Sequence, residues 1–131
     1  MITGATSGIG EAIARAYLEK GENIVLTGRR IERLEALKAE FAEAFPNQNV
    51  WTFPLDVTDM TMVKTVCSDI LEAVGSIDVL VNNAGLALGL APYQDYDELD
   101  MLTMLDTNVK GLMAVTRCFL PSMVAANQGY I

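Results

Sequence analysis

The chain alternates short apolar runs with amphipathic stretches from end to end, and this alternation restricts its fold more than any other feature. Strand-like segments at 23–27, 50–55 and 77–82 are separated by helical periods of about 10 to 15 residues, the spacing of βαβ units around a parallel sheet. The run Ile77-Asp78-Val79-Leu80-Val81-Asn82 is nearly continuous in apolar residues, as in strands covered on both faces. The expected architecture is α/β: a doubly wound parallel sheet in three α/β/α layers.

The helical segments carry their own boundaries. A first helix is expected over 10–20, with Ile13, Ala14 and Tyr17 or Leu18 facing inward and Gly21 ending it. A second over 31–45 places Ile31, Leu34, Leu37, Phe41 and Phe45 at helical spacing and closes at Pro46-Asn47. A third, capped by Thr58 or Asp59, runs to about Val74 on the stripe Val63, Val66, Ile70 and Val74, and Gly75 marks its end. After a loop over 83–96, helical periodicity resumes near Asp97 and continues to about Ala126, with a break expected at 108–111. The last three residues, Gly129-Tyr130-Ile131, read as the beginning of another strand. No repeat, low-complexity tract or linker divides the chain, so one domain is expected over 1–131.

Between Met1 and that first helix stands the run Thr3-Gly4-Ala5-Thr6-Ser7-Gly8-Ile9-Gly10. Gly4 lets the chain leave a strand abruptly, Gly8 removes a side chain where a diphosphate would approach, and Gly10 lets the helix pack close to the sheet. The free N–H groups of the first helical turn then face the anion. Gly4, Thr6, Ser7, Gly8, Ile9 and Gly10 are therefore candidate cofactor contacts. The spacing differs from G-x-G-x-x-G, and a glycine-rich loop that merely punctuates the chain is the competing reading.

Three further positions fall at the carboxyl ends of the expected strands, where open parallel sheets gather ligands. After the strand at 23–27, Gly28 occupies the place of an acidic ribose ligand, followed by Arg29 and Arg30. A guanidinium there forms charge-assisted bonds to a 2′-phosphate, which points to NADP rather than NAD. The alternative is a solvated helix start, although two arginines at a helix N-terminus oppose its dipole. Asp56 and Val57 end the next strand, where Asp56 either accepts from an adenine amino group or serves as a turn or cap aspartate. Asn82-Asn83-Ala84-Gly85 ends the strand at 77–82, and small residues there either admit the cofactor to the backbone or form an ordinary turn.

Composition excludes other chemistries. The chain has no histidine, which removes histidine-based triads and histidine-ligated metals, and no metal site is expected. A net charge of −8 argues against nucleic-acid binding. No apolar run approaches the ~18 residues of a membrane span, and no signal-peptide pattern is present, so a cytoplasmic location without membrane partners is expected. Cys67 and Cys118 stand in separate helical patterns with no second cysteine or histidine close in sequence. They read as buried free thiols rather than a disulfide frame or zinc site.

Taken together, the ordered motifs resemble the short-chain dehydrogenase/reductase family over essentially the whole chain. Thr3 to Gly10 matches its Thr-Gly-x-x-x-Gly-x-Gly, Asp56 its adenine-contacting aspartate, Asn82 to Gly85 its Asn-Asn-Ala-Gly, and Asn108 its helix asparagine. The glycine spacing is that of the family's shorter branch. Thr27 to Arg30, Asn82 to Gly89, Asp106 to Gly111 and Leu120 to Val124 look like the NADP-dependent 3-hydroxy acid (serine-type) dehydrogenases within it. The resemblance implies a Rossmann-like fold, with Asn83, Ala84 and Gly85 among the cofactor contacts. The implied reaction is hydride transfer between NADP and a secondary alcohol or ketone such as a 3-hydroxy acid, in a homotetramer.

In that family a tyrosine moves the hydroxyl proton, a lysine lowers its pKa, a serine orients the carbonyl, and an asparagine anchors a water. Only the last is matched here, as the catalytic candidate Asn108; read on its residue alone, without the resemblance, it is better taken as a helix-break residue that bonds backbone. None of Tyr17, Tyr93, Tyr96 and Tyr130 is followed by lysine four places on. An unassisted phenol is a poor base at neutral pH, so the chain alone is expected to be inactive. A non-catalytic nucleotide-binding module remains the second reading.

The edges of the pattern suggest an incomplete sheet. Only Met1, Ile2 and Thr3 are available where a strand of about five residues is expected, and the sheet is expected to stop before strand five. The chain therefore reads as the N-terminal, NADP-binding part of a longer protein. In the order 3-2-1-4-5 a clipped first strand leaves its neighbours unpaired at roughly 1–3 kcal/mol per dry group, so poor stability is expected. An exposed apolar stripe at Leu112, Val115, Phe119 and Met123 is also expected, with aggregation as its consequence.

Overall fold

Most local signals appear near where their residues predict them in a computed structural model that describes residues 1–131. The helices are α1 (Gly8–Glu19), α2 (Ile31–Ala44), α3 (Met60–Val74), α4 (Glu98–Leu105) and α5 (Leu112–Ala126). Strands β1 (Ile24–Gly28) and β2 (Val50–Pro54) pair in parallel, Ile24 opposite Val50 through Gly28 opposite Pro54. Ile2 bridges Leu26 on one side and Val81 on the other, and Val79 bridges Tyr130, all parallel. The order across the sheet is therefore β2, β1, residues 1–3, residues 77–82, Tyr130, which is the 3-2-1-4-5 arrangement.

Residues 1–3 are bonded on both flanks. Ile2 donates to Val25 and accepts from Thr27, while Thr3 donates to Val81 and Val81 donates to Met1. Their period-2 alternation divides the core between the two faces. Ile2, Ile24 and Leu26 pack with Ala14 and Leu18 of α1 and with Leu34, Leu37 and Phe41 of α2. Met1 and Val25 face the other way, onto Val63, Val66 and Ile70 of α3 and Val115, Phe119 and Met123 of α5. This gives three α/β/α layers.

Of the two possible caps for α3, Asp59 is the one used, accepting from the N–H groups of Thr61 and Met62 at 2.9 Å. The break expected at 108–111 is a π-turn over Asp106–Gly111, so the helix runs on without interruption. Gly111 is required there, because a Cβ would meet Val57 Cγ2 at 2.7 Å.

Three expectations are corrected. On α5, Val115, Phe119 and Met123 are buried rather than exposed; the exposed apolar residues are Leu112, Met113, Leu120 and Val124. The helix is apolar almost all round, and its spacing alone could not say which side meets the sheet. Although no apolar run is long, the continuous helix Glu98–Ala126 is long and apolar enough to cross a membrane by length and composition. Its buried residues Thr107, Gly111, Val115, Phe119 and Met123 recur every fourth position, forming one stripe turned toward the protein. Finally, Cys67 and Cys118 are free thiols as expected, but only Cys67 is buried; Cys118 is half-buried, and α3 and α5 place both thiols against one core.

Candidate dinucleotide-binding site

A crevice of about 520 Å³ lies at the carboxyl ends of the strands, with Gly4, Thr6, Ser7, Ile9, Arg29, Arg30, Asp56, Val57, Asn83, Ala84 and Gly85 among its lining. A cavity of similar volume lies at the opposite, amino ends, between Val25 and Val79. Only the first has the helix N-terminus and the loops that parallel sheets use for ligands. Gly8, Gly10 and Asn108 stand beside this crevice rather than in its lining.

The glycine turn has the conformation its residues require. Gly4 has φ +64°, and a Cβ on it would lie 2.8 Å from Ala84 Cα, so the chain turns tightly against the end of the strand at 77–82. At Gly8, φ is +59° and the space where a side chain would point is open to solvent. Gly10 is buried behind them; a Cβ there would strike Asn83 Nδ2 and the Gly4 carbonyl at 2.5 and 2.6 Å. Ser7 begins α1 without a side-chain cap, whereas α3 and α4 are capped by Asp59 and Asp97. The helix that points at the crevice thus carries no carboxylate cap, and its first-turn amides remain available to an anion.

Arg30 folds across this turn: its Nη2 donates to Thr6 Oγ1 at 2.8 Å and to Ser7 Oγ at 3.2 Å. Its charge is held over the glycine loop, and it does not stand as a free helix start. Gly28 makes room for the arrangement, since a Cβ there would meet Thr6 Cγ2 at 2.7 Å. Arg29 is exposed on the same rim. Asp56 Oδ1 accepts from the Thr58 N–H at 2.9 Å and the Thr58 hydroxyl at 2.7 Å, so its turn role is real. Its other carboxyl oxygen has no partner within the protein. Burial pushes the Asp56 carboxyl up, but the two Thr58 bonds and the nearby Arg29 outweigh this and leave it below the usual carboxylate range.

The Asn83 side chain stitches the two walls together, donating through Nδ2 to the carbonyls of Thr3 at 2.9 Å and Gly4 at 3.0 Å. Asn108 uses both of its polar atoms on Leu86: Oδ1 accepts from the Leu86 N–H at 2.9 Å, and Nδ2 donates to the Leu86 carbonyl at 2.8 Å. This pins the loop after Gly85 to the π-turn. Sequence reasoning missed Thr3 and Thr107 as site residues. Thr3 is buried, and its Oγ1 accepts from the amides of Asn83 and Ala84 at 3.0 and 2.9 Å. The signal was present: a hydroxyl in a central apolar strand needs a partner. Thr107, also buried, forms part of the crevice floor.

The sequence profile of the short chain dehydrogenase family matches residues 1–131. The chain is 48% identical over 131 residues to an NADP-dependent 3-hydroxy acid dehydrogenase of Salmonella typhi, covering 100% of this chain and 51% of that protein. It is 44% identical over 124 residues to a serine 3-dehydrogenase of Rhizobium radiobacter, covering 95% and 48%. Among solved structures, the closed form of a serine dehydrogenase complexed with NADP+ superposes with a TM-score of 0.89 at 42% identity, covering 98% of this chain and 50% of that one. The chain thus spans about half the length of the curated relatives it matches. With the match running through every residue that shapes the glycine turn and the crevice, the chain belongs to the short-chain dehydrogenase family.

Proposed function

We propose that the chain is the dinucleotide-binding portion of an NADP-dependent oxidoreductase acting on a secondary alcohol or ketone, with 3-hydroxy acids as the substrate class. The observation that carries this reading is the Arg30 guanidinium held on Thr6 and Ser7 beside an uncapped helix N-terminus. The NADP dependence of the relative from Salmonella typhi supports it. NADP supplies the nicotinamide carbon that takes or gives the hydride.

The chain's own residues bind and orient. First-turn amides of α1 hold the diphosphate, Arg29 and Arg30 hold the 2′-phosphate, and the unbonded carboxyl oxygen of Asp56 accepts from the adenine amino group. The small residues Ala84 and Gly85 let the backbone approach the dinucleotide, while Asn108 positions the adjoining loop through Leu86. No tyrosine of these residues has a lysine four places on, so the chain binds the dinucleotide without turning over substrate. A cytoplasmic homotetramer, packed through the exposed face of α5, completes this reading.

Titration with NADPH and NADH, followed by the fluorescence of the reduced nicotinamide, tests it. NADPH is expected to bind more tightly, and Arg30→Ala to reduce that preference about 10- to 150-fold, the equivalent of a charge-assisted bond of about 1.5–3 kcal/mol. Preference for NADH, or a ratio unmoved by both Arg29→Ala and Arg30→Ala, refutes the assignment.

A further inference from the structure

Two thiols that the cofactor site does not use meet at the contact between α3 and α5. Cys67 is 2% exposed on the inner face of α3, within the same apolar cluster as Val63, Ile70, Val115 and Phe119. Cys118 is half-buried on α5 and packs against that cluster together with Ala114, one turn before it. Cα atoms of the two helices come within 8 Å of one another, so α3 and α5 pack directly together. Burial pushes the Cys67 thiol up, and the neighbouring Cys118 thiol adds to the shift.

We propose that Cys67 and Cys118 are a modification site: a dithiol that a hydroperoxide converts to an intrachain disulfide fastening α3 to α5. Exposure decides the order of events. The Cys118 thiolate attacks the peroxide oxygen, the O–O bond breaks, and the leaving alkoxide or hydroxide takes up a proton, giving Cys118 sulfenic acid. The Cys67 sulfur then attacks the Cys118 sulfur; the S–S bond forms, the S–O bond breaks, and hydroxide leaves with the Cys67 proton as water. Two thiols lose two electrons in all, and the hydroperoxide is reduced to an alcohol and water, or to two waters when hydrogen peroxide is used. The low acidity of buried Cys67 makes the second step the slow one.

The test treats the reduced chain with hydrogen peroxide, unfolds it without reductant, labels it with maleimide and reads the intact mass. The expected product has lost two hydrogens, takes up no maleimide and regains both labels after dithiothreitol. Trypsin is expected to release peptide 65–110 joined to peptide 118–131, and the urea midpoint of the oxidised protein to rise and return on reduction. Chain-to-chain dimers through Cys118, or Cys118 sulfinic acid beside a free Cys67, overturn the proposal. So does an equal yield of the linked peptide when oxidation is carried out in urea, because the fold would then contribute nothing. Cys67→Ala is expected to carry Cys118 on to sulfinic acid; the peptide map of the unsubstituted chain decides the question even where that variant does not fold.

Discussion

Replacing Thr3 by valine isolates one hydrogen bond in the wall of the crevice. Valine keeps the shape of the buried side chain and removes the hydroxyl, which accepts from Asn83 and Ala84 and approaches the Val81 carbonyl at 3.4 Å. The loss is smaller than two acceptor bonds. The Asn83 N–H also reaches the Val81 carbonyl at 3.0 Å and keeps that partner, whereas the Ala84 N–H has no other acceptor. One orphaned, partly buried donor costs about 1–3 kcal/mol, a large share of the stability of any single domain. Thr3→Ser keeps the oxygen and loses a buried methyl group, comparable to the roughly 0.5–1.5 kcal/mol of Ile→Val. Urea unfolding followed by circular dichroism is expected to rank the proteins as Thr3, then Ser, then Val, with an unchanged m-value. NADPH affinity is expected to fall for the valine variant because Ala84 forms part of the crevice. A valine variant as stable as the parent, or a serine variant less stable than the valine one, refutes the reasoning.

Three other perturbations follow from the same geometry. Gly10→Ala drives a methyl group into Asn83 Nδ2 and the Gly4 carbonyl, and is expected to lower stability by about 1–3 kcal/mol as overpacking does, read by denaturant unfolding. Asp56→Asn leaves an amide oxygen to accept from Thr58 but removes the charge beside Arg29. Because the folded pKa of Asp56 lies below its ordinary 3.8, its contribution is fully present above that value and is lost as the pH falls through the folded pKa. The stability difference between parent and variant is therefore expected at neutral pH and should vanish in acid, as measured by unfolding at several pH values. Asn108→Ala frees the Leu86 backbone at an exposed site, where water replaces part of the loss. An effect of about 1 kcal/mol is expected, seen as roughly 5-fold faster hydrogen exchange at the Leu86 amide.

The alternation of strands and helices, the helix limits and the glycine turn were legible in the chain because each depends on neighbours within a few positions. Period-2 and period-3.6 patterns declare an element and its apolar face. Gly4 and Gly8 stand where the backbone needs a conformation that other residues resist. Arg29, Arg30, Asp56 and Asn83 were assigned to one edge of a sheet for the same reason, since each follows directly on a strand.

Packing decided the remainder. Thr58 and Asp59 are equivalent caps by composition, and the path of the chain selected Asp59. Helix α5 is apolar around most of its circumference, so only docking against α3 and the sheet determined that Val115, Phe119 and Met123 turn inward. The Arg30 bonds to Thr6 and Ser7, the stitch from Asn83 to Thr3 and Gly4, and the meeting of Cys67 with Cys118 join residues far apart in sequence. Such distances depend on how whole elements settle against one another, and no local pattern of residues encodes them.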